Sequence, residues 1–95
     1  MKLEVDNTLK VRVQAIGLGK IEIELTKGTN VEVLLEQLFK QHPDSLSKFI
    51  NPESGKIYSF VSIWINSSSI KQLQNIKTKL REGDVITIFR PSAGG

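Results

Sequence analysis

Leu9-Lys10-Val11-Arg12-Val13-Gln14-Ala15, followed by Ile21-Glu22-Ile23-Glu24-Leu25, decides the fold of this chain. In both stretches apolar and polar residues alternate, the period of a strand with one buried face and one wet face. Gly17-Leu18-Gly19 separates them and is short enough to close a hairpin. At Thr29 the period changes. Val31, Leu34, Leu35, Leu38 and Phe39 recur at the spacing of one helix face, which predicts a helix over residues 30–41. Thr29-Asn30-Val31-Glu32 has the form of a capping box at its start, and Pro43 sets its end near residue 42.

Beyond the helix the pattern is weaker, then strong again. A short helix is expected around Leu46 to Ile50, followed by a turn at Asn51-Pro52-Glu53-Ser54-Gly55. Residues 60–66 read as a strand with Val61, Ile63 and Ile65 on one face. Ser67-Ser68-Ser69 reads as a polar turn. Residues 70–80 are ambiguous, with a short strand expected near residues 74–78. Arg81-Glu82-Gly83-Asp84 is a tight turn, and residues 85–89 form the last strand. One amphipathic helix among these strands predicts an α+β domain: a mixed sheet of four to five strands with one main helix on one face.

The 95 residues suit one domain, 1–95, and show no repeat, linker or low-complexity segment. With no cysteine, disulfides, thiolate metal sites and thiol nucleophiles are all excluded, and a cytoplasmic location is expected. No stretch has the length of a membrane span, and Met1-Lys2-Leu3-Glu4-Val5-Asp6 lacks a signal-peptide core. The net charge of +3 is scattered rather than clustered, so direct nucleic-acid binding is not expected.

Arg90-Pro91-Ser92-Ala93-Gly94-Gly95 ends the sequence, and residues 90–95 are expected to be a flexible tail. Its six residues reach roughly 20 Å when extended. Gly95 has no Cβ to crowd attack at its carbonyl, and Gly94 and Ala93 keep the chain thin enough for a narrow slot. A C-terminal carboxylate on Gly95 is a group that an ATP-dependent partner can turn into an acyl-adenylate, for transfer to sulfur or an amine. The plain alternative is a frayed end.

Leu80-Arg81-Glu82-Gly83-Asp84-Val85, then Ile88-Phe89-Arg90-Pro91-Ser92-Ala93-Gly94-Gly95, resembles the ending of the ubiquitin-like sulfur carriers. The likeness is first to the small subunit of molybdopterin synthase (MoaD type), then to the thiamine sulfur carrier (ThiS type). Ile65-Asn66 matches the strand-ending asparagine of that family, and the element order matches its β-grasp fold. Two local features depart from it: Arg90-Pro91 stands for a double proline, and the first loop is short. The resemblance implies a non-catalytic carrier with no bound cofactor, whose Gly95 is adenylated at the expense of ATP and thiocarboxylated. It implies two partners, a ubiquitin-activating-like adenylating enzyme and a synthase large subunit or other sulfur acceptor. Related proteins serve tRNA thiolation or modify lysines, and both uses share the activation chemistry.

Other motifs dissolve on inspection. His42-Pro43-Asp44 copies a co-chaperone tripeptide but lacks its two long flanking helices. Gly17-Leu18-Gly19-Lys20 leads into a strand, whereas a phosphate loop leads into a helix. One histidine cannot build a metal site, and no base stands beside Ser67-Ser68-Ser69. Strand alternation supplies a sharper candidate. With Val61, Ile63, Ile65, Ile86 and Ile88 toward the helix, Phe60, Trp64, Val85 and Phe89 point the other way, bordered by Lys10, Arg12, Glu22 and Glu24. Such a strip is a candidate partner surface, with Phe89, Phe60, Trp64 and Arg90 as its contacts. The alternative is that residues 67–80 fold back over Trp64.

Overall fold

The computed structural model describes residues 7–90 of the chain. The two alternating stretches form β1, Thr8–Ala15, and β2, Gly19–Thr26, paired antiparallel with Val11 opposite Ile23 and Arg12 opposite Glu22. Gly17 in the turn has φ 88°, a left-handed conformation that a side chain would strain. Its carbonyl accepts a hydrogen bond from Ser45 Oγ at 3.1 Å, which ties the hairpin tip to the segment beyond the helix.

The helix α1, Val31–Gln41, buries Val31, Leu34, Leu35 and Leu38. These pack in one cluster with the inward residues of the strands, among them Val11, Val13, Ile63, Ile86 and Ile88. β3, Ser62–Ile65, β4, Ser68–Ser69, and β5, Val85–Phe89, complete a sheet in the order β2-β1-β5-β3-β4. β5 lies between β1, to which it is parallel, and β3, to which it is antiparallel. The expected mixed sheet with one main helix is thus the architecture found. The helix is essential to it, because the inward face of each strand is apolar and has to be covered.

Several local expectations give way. The cap sits one residue later than the Thr29 box: Asn30 Oδ1 accepts from Val33 N–H at 3.0 Å. Glu32, expected to complete that box, instead pairs with Lys77 at 2.8 Å. Pro43 does more than stop α1. It opens a second short helix, α2, Pro43–Leu46, so the expected turn of helix begins three residues early. Proline suits that first helical position because its N–H would be unpaired there anyway. Ser68 and Ser69 are not a plain polar turn: they form β4, with Ser69 opposite Trp64. The short strand expected near residues 74–78 is absent. In its place stand two 3-10 turns, Ile70–Gln72 and Asn75–Lys77, with Asn75 at φ 53°, outside the extended region. Ile70 is buried and Ile76 packs on the core, a spacing of two 3-10 turns, which an alternating strand would satisfy as well, so the spacing alone does not select between them.

The turn at residues 81–84 is built from side chains as much as backbone. Asp84 accepts from Asn66 Nδ2 at 3.0 Å and from Arg81 N–H at 2.8 Å. Asn66 in return accepts from Val85 N–H at 3.0 Å. Asn66 has φ 56°, which asparagine tolerates better than most residues, and this is the physical reason for an asparagine at the end of β3. The turn docks on β1 through Gly83 N–H to the Lys10 carbonyl at 2.8 Å and Lys10 N–H to Glu82 Oε1 at 3.0 Å. Asp84→Ala removes both charge-assisted hydrogen bonds and is expected to lower stability by about 1–3 kcal/mol. Urea titration of the variant measures this, and an unshifted midpoint means that water replaces the carboxylate without cost.

Candidate functional site

The register of β5 with its neighbours builds the sheet face that α1 leaves open. Val85, Thr87 and Phe89 alternate with the buried Ile86 and Ile88, so they point away from the helix. Phe89 stands opposite Ser62, and Thr87 opposite Trp64 on one side and Gln14 on the other. Trp64 and Phe89 are therefore diagonal neighbours, a relation that sets backbone positions about 7–8 Å apart, within reach of aromatic side chains. Gln14 Nε2 donates to Thr87 Oγ1 at 3.4 Å, placing a polar link inside the strip. The charged border lies on β1 and β2, where Arg12 faces Glu22 and Lys10 faces Glu24.

Trp64 keeps 36% of its surface exposed, so residues 67–80 do not cover it. Phe89 is half-buried and Val85 likewise. Phe60 departs from the expected placement. The strand begins only at Ser62, and Phe60 lies in the turn before it, so strand alternation does not determine its direction. It remains 47% exposed and stacks on Tyr58, with ring centroids 5.1 Å apart and an interplanar angle of 12°. The Arg90 guanidinium carbon lies 5.4 Å from the Phe60 centroid. The four residues expected to contact a partner therefore divide: Trp64 and Phe89 share the open face, while Phe60 and Arg90 meet where β5 ends.

Sequence reasoning passed over two neighbours. Ile16 is 72% exposed and follows Ala15, the partner of Ile88, so it sits one residue past the paired register at the level of Phe89. Continuing the alternation of β1 by one step would have flagged it. Tyr58 had no signal beyond its spacing of two from Phe60.

Among the described residues, no three His, Cys, Asp or Glu side chains come together as a metal site, and no buried side-chain polar atom lacks a partner. A groove of ≈ 780 Å³ lies on the helix side, between α1 and residues 50–57, with Leu35, Phe39, Ile50 and Ile57 among its walls. The residues proposed to react, Gly95 with Gly94, Ala93, Ser92 and Pro91, lie outside the described residues. What the fold shows is their point of departure: the end of β5, a central strand, beside an open face with exposed aromatics.

The sequence model of the ThiS family matches residues 11–95, through the last glycine. The chain belongs to the ThiS family. Among its relatives, the "Putative sulfur carrier protein" of Archaeoglobus fulgidus is 32% identical over 88 residues, which is 92% of this chain and 98% of that protein. The "Putative molybdopterin converting factor, subunit 1" of Pyrococcus furiosus is 25% identical, with a TM-score of 0.66 over 88% of this chain and 99% of that one. Small archaeal modifier protein 1 from Methanosarcina acetivorans superposes with a TM-score of 0.72 over 95% of this chain and 100% of that one. At 23% identity this last likeness speaks for the fold alone. Together the matches bear out the ubiquitin-like sulfur-carrier resemblance and the β-grasp fold. No helix among the described residues of this ThiS-family chain is long and apolar enough to cross a membrane.

Proposed function

We propose that the chain is a sulfur carrier that acts through a free carboxylate on Gly95, in molybdopterin biosynthesis. The family match running through Gly95 carries this reading, and the likeness to a molybdopterin converting factor subunit supports the pathway. A carboxylate oxygen of Gly95 attacks the α-phosphorus of ATP on a partner adenylating enzyme, and pyrophosphate leaves. Sulfide then attacks the acyl carbon, the bond to AMP breaks, and a thiocarboxylate remains. The chain itself contributes no base or metal to these steps. It supplies a thin acyl end and a surface by which partners hold it, and the acceptor is a synthase large subunit into which the tail threads. The setting is cytoplasmic, with no resident cofactor.

The test is to incubate the full chain with its adenylating enzyme, ATP and sulfide and to follow intact mass. One oxygen should be exchanged for sulfur, and fragmentation should place the change at Gly95. Unchanged mass with an enzyme that is active on its own substrate overturns the reading. Lysine-linked conjugates in cell extract, lost when Gly95 is removed, would make the chain a protein modifier instead.

Phe89 is the proposed anchor of the partner surface, since it is half-buried on the open face and adjoins the tail. Phe89→Ala is expected to weaken partner binding by roughly 2 kcal/mol, as for an interface hot spot. Calorimetric titration measures the loss and a thermal melt checks the fold. An unfolded variant places Phe89 in the core.

A further inference from the structure

Arg90 is the first residue beyond β5, and the structure gives it a definite seat. The turn beneath it is fixed at both ends: Tyr58 N–H donates to the Phe49 carbonyl at 3.0 Å, and Val61 N–H donates to the Tyr58 carbonyl at 3.0 Å. Phe49 and Val61 are both buried, so the turn is anchored in the core. On this base Tyr58, half-buried against the core, backs the Phe60 ring. The Arg90 guanidinium carbon lies over the same Phe60 ring, 5.4 Å from its centroid. A planar cation over an aromatic face is an attractive arrangement, and a flat guanidinium suits it better than an ammonium. Among the described residues no carboxylate pairs with Arg90, so the ring is the group that holds it.

We infer that Tyr58, Phe60 and Arg90 form a stacked clasp that sets the direction in which the chain leaves the sheet, and that Arg90 is thereby a positioning residue for chemistry at Gly95. The clasp stands on the geometry, while its consequence at Gly95 rests on the carrier reading above. The stack lies on the surface, where a cation–π contact biases a population by roughly two- to five-fold. That strength fits its place. Arg90 is held often enough to bias the backbone at the end of β5, and weakly enough for a partner to lift it.

Two measurements on the full chain separate the clasp from the carrier reading. In the first, NMR reads the ring-current displacement of the Arg90 side-chain protons. Phe60→Leu should abolish it and Phe60→Trp should retain it, with thermal melts confirming that both variants fold. Arg90 shifts indifferent to Phe60→Leu overturn the clasp, whatever the function of Gly95. In the second, the adenylating enzyme, ATP and sulfide are used to measure kcat/KM for loading of Phe60→Leu, Arg90→Gln and the double variant. Each single change should lower it roughly two- to five-fold, and the double variant should fall no further than the worse single. Phe60→Trp should restore the rate. Multiplying effects mean that the two residues touch the enzyme independently, and the positioning role is then wrong. If the unaltered chain does not load at all, the carrier reading fails together with the positioning role, and the NMR result still decides the clasp.

Discussion

Leu38→Ala is expected to lower the folding stability by about 2–5 kcal/mol, the range for a leucine truncated in a packed core. Leu38 is fully buried on the inner face of α1, within the cluster that the helix shares with the strands. For a domain of this size each kcal/mol moves the melting temperature by about 4–8 °C, so the loss is large in a thermal scan. Val33→Ala, on the exposed side of the same helix, is the control and should change little. Equal losses for the two variants would mean that the buried face of α1 is wrongly assigned.

Deleting Gly95 is expected to abolish sulfur loading, and appending one residue after it should do the same. Both changes displace the carboxylate that the carrier reading has adenylated, and the buried core of the described residues is built from Leu9 to Ile88. Stability and the folded spectrum should therefore stay at the values of the unaltered chain. Intact-mass spectrometry after incubation with the adenylating enzyme reads the loading directly. Full loading of a chain that lacks Gly95 would dismiss the carrier and the modifier together, because both use the same acyl end.

Wherever one period ran for several residues, the elements were legible. The alternation of residues 9–15 and 21–25 and the helical spacing from Val31 to Phe39 each return as single elements with the expected faces buried. The failures cluster where local rules compete. At the start of α1, both Thr29 and Asn30 can cap, and the contact of Glu32 with Lys77 lies 45 residues away along the chain. In residues 70–80 the apolar spacing fits an irregular strand or a tight helix equally well. The outcome was settled by what Ile70 and Ile76 could pack against. The candidate site divided in the same way. Trp64 and Phe89 followed from alternation inside strands, whereas Phe60 did not, because its strand ends two residues short of it.

The sequence by itself determined which residues are inside, since a strand or helix face is written in the order of apolar residues and needs no partner to be read. It also carried the tail and the turn at residues 81–84, which marked the family. Only the tertiary structure decided which strands are neighbours. The parallel pairing of β1 with β5 joins residues more than 70 positions apart in register, and no local period encodes such a choice. That pairing puts the exit of the tail in mid-sheet, beside Ile16 and Phe89. The stacking of Arg90 on Phe60 has the same origin: the two are remote in sequence and meet because β3 and β5 run antiparallel, bringing the end of one strand to the start of the other.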